Sequence, residues 1–292
     1  MHYKSYKTIL SPKNGMNLYR GCTHGCIYCD SRSKCYQMDH DFEDIEVKEM
    51  APQILEDQLR RRREKCMVGT GAMTDPYIQL EKELGYTRKC LEIIEKYGFG
   101  LAIQTKSTLI LRDLDILSRI HAKSKCVVQI TLTTFDDDLC LKIEPDVAPT
   151  SARIEVLKTL RDLGIPTIVW LSPLLPFIND TVANVQGILD ACIEAKVHGI
   201  LYFSAGLTLR EGNREYFYQK LDEQFPGIKQ RYIKAFGNAY ECGSPNRKVL
   251  DALVKKTCTE HGMLFGPKAC FEYLHTFNPK QREEQLSLSD WL

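Results

Sequence analysis

The segment Tyr19-Arg20-Gly21-Cys22-Thr23-His24-Gly25-Cys26-Ile27-Tyr28-Cys29-Asp30 sets three thiols at C-x3-C-x2-C spacing. Thiolates are soft ligands, suited to zinc or to iron–sulfur clusters. Three of them serve a tetrahedral zinc ion poorly without a fourth ligand, for which His24 and Cys35 are candidates. A four-iron cluster can be held by three cysteines, which leaves one iron open to chelate a small molecule. Gly21 and Gly25 allow the tight turns such a loop needs. A zinc knuckle or plain core thiols are the alternative reading.

Working outward, the loop follows a candidate strand at 17–21, so its thiols should hang over the carboxyl edge of a sheet. Further short apolar runs at 67–71, 99–105, 126–132, 166–171 and 199–203 read as strands. Helical patterns lie between them at about 47–64, 80–97, 111–122, 151–163 and 182–196. Gly98, Gly164 and Gly199 follow helical runs, where a left-handed residue ends a helix. Alternating strand and helix implies parallel strands with right-handed crossovers, in an open sheet or a partial barrel. In both, ligands bind at the carboxyl ends of the strands.

From Gly206 the rhythm stops. Residues 215–224, 229–236 and 247–261 read as helices and 287–292 as a short apolar tail. The reading is therefore a core over residues 1–205 and a mainly helical extension over 206–292, placed to cover substrate. Seven Lys or Arg fall between positions 229 and 256, against Glu241 and Asp251. They form either a solvated helical surface or a docking face for an anionic partner.

The 292 residues contain 39 Lys and Arg against 38 Asp and Glu, a net charge of +1, which removes any whole-molecule attraction to nucleic acid. No apolar run approaches the roughly 20 residues needed to span a bilayer. The first residues have no apolar stretch behind their lysines, so a cytoplasmic protein without membrane contact is expected. Twelve cysteines spread along the chain read mostly as small buried hydrophobes. Cys242, Cys258 and Cys270 raise the question of a second cluster, but their spacing matches no tight ligand pattern.

The cysteine loop, with Tyr28 before the last thiol, resembles the signature of the radical S-adenosylmethionine superfamily. Asn17-Leu18-Tyr19-Arg20-Gly21-Cys22, Gly71-Ala72-Met73-Thr74-Asp75-Pro76-Tyr77 and Gln104-Thr105-Lys106-Ser107 resemble its spore photoproduct lyase-like branch. So do Leu111-Arg112-Asp113, Ile143-Glu144-Pro145 and Pro173-Leu174-Leu175-Pro176. The likeness covers about residues 9–205. It implies an α/β fold of the partial (β/α)6 TIM-like barrel type. It also implies a 4Fe-4S cluster on Cys22, Cys26 and Cys29, with S-adenosylmethionine on the fourth iron. One-electron cleavage of the sulfonium then gives a 5′-deoxyadenosyl radical, which abstracts hydrogen from a substrate. An electron donor such as flavodoxin or ferredoxin is implied, and a nucleic acid is one candidate substrate. Peptide modification and a non-catalytic metal module are the competing functions.

By the same resemblance, Thr74 meets the methionine moiety, Lys106 the ribose or carboxylate, and Thr131 the ribose. Tyr28 and the backbone around Ser172 flank the adenine. Strand alternation agrees for Thr131, since Gln129, Thr131 and Thr133 share one face. Asp75 and Tyr77 are open to two readings, as substrate contacts or as parts of a turn. The chain departs from the lyase at one position. Three residues before the loop aspartate the lyase carries a hydrogen-donating cysteine, and here Ala72 stands. Repair of the spore thymine dimer is therefore not expected. Cys66 and Cys126 lie at the amino ends of their strands, where they cannot substitute.

Overall fold

The structure is a computed structural model and describes residues 1–279. Its main sheet contains β1 Gly15–Met16, β2 Met67–Thr70, β3 Gly100–Thr105 and β4 Cys126–Thr131. It continues through β5 Thr167–Trp170, β6 Gly199–Leu201 and β7 Leu264–Phe265. The strands lie side by side in chain order. Every adjacent pair is parallel. A doubly wound sheet reverses its strand order at a switch point. This one never does, and β1 and β7 do not pair, so the architecture is a partial TIM-like barrel.

The outer layer holds α1 Ala51–Arg61, α2 Tyr86–Lys96, α3 Leu114–Lys123, α4 Thr150–Asp162 and α5 Val182–Glu194. Helical spacing decides which face is buried: α2 covers Thr87, Cys90, Leu91 and Ile94. All six residues of β4 are buried, as expected of a parallel strand covered on both faces.

Four expectations need correction. Residues 17–21 are not the first sheet strand. That strand is the shorter β1, and Tyr19–Arg20 pairs antiparallel with Glu46–Glu49 in a separate small sheet completed by His2–Ser5. The helix expected over 47–64 begins only at Ala51, after that Glu46–Glu49 strand, with proline in its first turn. The helix expected over 80–97 is broken at Gly85, whose φ of +62° ends one short helix before α2 begins. Gly199 caps nothing; it lies in β6, where a Cβ would come 2.9 Å from that of Leu264.

Beyond residue 205 the chain forms α6 Asn213–Gln224, α7 Ile228–Phe236, α8 Arg247–Glu260 and α9 Gly266–His275. A two-stranded ribbon joins Gly206–Thr208 to Glu241–Gly243. The extension is mainly helical, but it also returns to the barrel. Leu250, Val254 and Cys258 of α8 enter the main core, and β7 pairs with β6. Cys242, Cys258 and Cys270 fall in three different packed clusters. The cationic stretch is divided between α7 and α8, where Lys229 pairs with Asp222, Arg247 with Asp251 and Lys256 with Glu260. The apolar tail expected at 287–292 lies outside the described residues. Among those described, no helix is long and apolar enough to cross a membrane.

Candidate active site

The cysteine loop is pinned from two sides. The Cys22 N–H donates to the Phe42 carbonyl, and the Ile27 N–H donates to that of Ile143. Gly21, at φ +85°, passes so close that a Cβ would sit 2.3 Å from the Phe42 oxygen. Here only glycine fits. Cys26 is buried, while Cys22 and Cys29 are partly exposed.

Burial pushes the Cys22 thiol up to about 12, with the Asp75 carboxylate adding to the effect. Burial also pushes Cys26 well above its ordinary range, although the Lys106 ammonium opposes it. Such thiols ionise when a metal replaces the proton. A single tetrahedral zinc would draw its sulfurs to about 3.8 Å from one another, given Zn–S bonds of about 2.3 Å. Among the described residues, the groupings of ligand atoms within 4.8 Å do not include the three thiols. As they stand, the thiols are not gathered as a single-ion site would have them.

Lys106, just beyond the end of β3, sits among Cys26, Glu144, Asp75 and Cys29. Burial alone would lower its pKa, but these groups outweigh burial and hold the ammonium well above its ordinary range. Its Nζ lies 5.8 Å from the centre of the Tyr28 ring. Tyr28 donates its hydroxyl to Glu144, and Glu144 is paired with Arg153.

A cleft of about 680 Å³ opens at the carboxyl ends of the strands. Tyr28, Cys29, Lys106, Thr131 and Ser172 all line it. The Thr131 hydroxyl is buried without a hydrogen-bond partner, which is rare unless a ligand is meant to meet it. On the opposite face of the same segment, Ile130 and Leu132 belong to the main core. Thr74 is buried and does not line the cleft. Ala72 does line it, so the departure at that position falls within the cleft.

The two open readings of the strand-two loop resolve toward structure. Asp75 accepts from the Tyr77 N–H, the Thr105 hydroxyl and the Lys106 N–H, at 2.7–2.8 Å, and faces His24 Nε2 at 3.1 Å. Burial would raise its pKa, but His24 and these bonds win and hold the carboxyl at about 2. Tyr77 donates to the buried Asp113. Both side chains are occupied within the fold. Sequence reasoning missed Trp170, and it singled out Cys242 and Arg247 only as a candidate cluster ligand and as part of a cationic stretch; all three line the cleft. The last two come from the extension, and neither reading of it pointed to this cleft.

The radical SAM superfamily model matches residues 16–186, more than half of the chain. The chain belongs to the radical SAM superfamily. Enzymes of this family use a 4Fe-4S cluster and S-adenosylmethionine in radical chemistry, and they draw on an electron donor. An uncharacterized protein of Mycobacterium tuberculosis is 30% identical over 229 residues, 76% of this chain and 66% of the relative. This radical SAM chain thus spans just under two thirds of that relative's length. An uncharacterized protein of Methanocaldococcus jannaschii is 32% identical over 213 residues, 72% of this chain and 76% of the relative. Among solved structures, a variant of spore photoproduct lyase superposes with TM-score 0.62 at 12% identity. The match covers 85% of this chain and 74% of that one. That likeness is one of fold.

Proposed function

We propose that this chain holds the 4Fe-4S cluster on Cys22, Cys26 and Cys29 and binds S-adenosylmethionine in the adjoining cleft. When bound there, the pair supplies reductive cleavage of the sulfonium to a 5′-deoxyadenosyl radical that abstracts hydrogen from a substrate. The observation that carries this reading is the orphaned buried hydroxyl of Thr131, a residue that lines the same cleft as Cys29, Lys106 and Tyr28. The residues divide the work. The Lys106 ammonium offsets negative charge gathered around the thiolates and can meet a carboxylate. Tyr28, fixed by Glu144, offers a ring face to a purine, and Ser172 borders the same space. Thr131 offers its hydroxyl to a ribose. Thr74, by its place after strand β2, is assigned to the methionine moiety, although its side chain is buried and does not line the cleft.

The extension, described over residues 206–279, serves as a cover over the core of residues 1–205, contributing Cys242 and Arg247 to the wall. A nucleic-acid substrate rests on one support, that the fold matches a lyase solved with a bound dinucleoside spore photoproduct. Ala72 has no S–H, so hydrogen return by the lyase's loop cysteine has no counterpart here. A flavodoxin or ferredoxin is the class of reductant. The test is anaerobic reconstitution: the protein turns brown and, once reduced, forms 5′-deoxyadenosine, and Cys26→Ala loses both. A colourless zinc protein that leaves S-adenosylmethionine intact sinks the reading.

A further inference from the structure

We propose that the small sheet beside the cysteine loop carries a separate site for a zinc-class divalent cation, at His40 and Glu46 with Asp39 and His2 flanking. Two triads of ligand atoms, His2–His40–Asp44 and Asp39–His40–Glu46, each lie within 4.8 Å and share His40. Strand pairing builds the place: His2 stands opposite Glu46 on one side, and Arg20 opposite Glu46 on the other.

The Glu46 side chain is 0% exposed, yet its Oε2 receives no aligned hydrogen bond. His2 Nε2 and His40 Nε2 each lie 3.9 Å from that oxygen. The His40 side chain is 10% exposed, and its Nε2 has no partner. The Lys4 ammonium, 3.2 Å from that same oxygen, offsets its charge, but the buried imidazole nitrogen of His40 is left unpaired facing it, a cost that a bridging cation would remove. The surrounding bonds prepare both for a metal. His40 Nδ1 lies 2.9 Å from the Asp41 carbonyl, so a proton there leaves the Nε2 lone pair free. His2 Nδ1 does the same with Asp44 at 2.9 Å, and the Tyr6 hydroxyl donates to the other oxygen of Glu46.

A positive charge already stands at this place. Lys4 Nζ lies 3.2 Å from Glu46 and 3.3 Å from Asp39. Its side chain is 44% exposed, so it can swing away when a cation arrives. Two imidazoles and two carboxylates balance a divalent charge and suit zinc, whereas magnesium and calcium favour all-oxygen shells. The ion would tie His2 to the 39–46 loop, whose Phe42 carbonyl accepts from Cys22. It would thus brace the stem of the cysteine loop without touching the thiols. This inference does not depend on the proposed reaction.

The test uses the full chain with its iron in place, dialysed against zinc and analysed for both metals. One zinc is expected beyond the iron, with a nitrogen and oxygen shell at about 2.0–2.1 Å by zinc-edge X-ray absorption. His40→Ala and Glu46→Gln should lose the zinc and keep the iron. If Glu46→Gln fails to fold, His40→Ala gives the same reading. Lys4→Met should bind zinc about tenfold more tightly in competition with a chelator, because the rival ammonium is gone. A sulfur shell at about 2.3 Å places the zinc in the cysteine loop and overturns the proposal. So does zinc content unchanged in His40→Ala, or a native chain that takes up no zinc.

Discussion

Arg153 and Glu144 form an ion pair at 2.6 Å with 1% of either side chain exposed. Arg153 also donates to the Thr131 carbonyl at 2.8 Å, while Glu144 accepts from the Tyr28 hydroxyl. One buried pair therefore positions two walls of the cleft. Burial would raise the pKa of Glu144, but Arg153 and Lys106 outweigh it and keep the carboxylate ionised.

Removing one partner leaves the other charge stranded. Glu144→Gln should cost about 3–5 kcal/mol in denaturant unfolding, far more than a surface pair would. A loss below about 1 kcal/mol would show that water already reaches the pair.

Thr131→Val should behave oppositely. The hydroxyl has no partner to lose, so unfolding stability should hold or rise slightly. On the proposed function, S-adenosylmethionine binding to the cluster-loaded protein should weaken about tenfold. Equal affinity by calorimetry would remove Thr131 from the ribose contact.

Asp75 sets an acid limit. Its folded pKa of about 2 is below the ordinary 3.8, so its contribution is complete above 3.8 and is lost as pH falls through about 2. The contribution is about 2 kcal/mol. Acid unfolding of Asp75→Asn should therefore lack the steep part of the native profile in that window. Parallel profiles for the two proteins would contradict this account.

Metal-free chain should show graded thiol reactivity. Cys35 is exposed, whereas Cys22 and Cys26 are held as thiols by burial. Iodoacetamide at about pH 8 should alkylate Cys35 well before either, as read by peptide mass mapping. Early modification of Cys22 would mean that the loop opens without its metal.

Much of the barrel was legible because its strands are apolar and bounded by turns. The cores of β2 to β6 fall inside the stretches expected from sequence. Failures had local causes. Gly85 splits a continuous helical pattern through a backbone angle that periodicity does not register. Strand β7 is two residues long, too short for any alternation to appear. Site residues on strand ends could be placed by position, as with Lys106 and Thr131. Arg153 could not, because on a helix it reads as a surface cation until Glu144, nine residues away, is seen to meet it. Glu46 likewise meets His2 only through strand pairing, and His40 only because the segment before that strand folds back on it.

Strand β7 restricts how the extension can move. Leu264 and Phe265 are stitched to Gly199 and Ile200, while α8, which starts at the cleft with Arg247, is anchored in the core before the chain reaches that seam. A rigid swing of the whole extension would unzip the seam and expose a raw sheet flank to association with other chains. The wall of the cleft toward α8 is therefore fixed, while the ribbon at Gly206–Thr208 and Glu241–Gly243 lies outside that seam and is held instead by Leu207 and Cys242 in a separate apolar cluster.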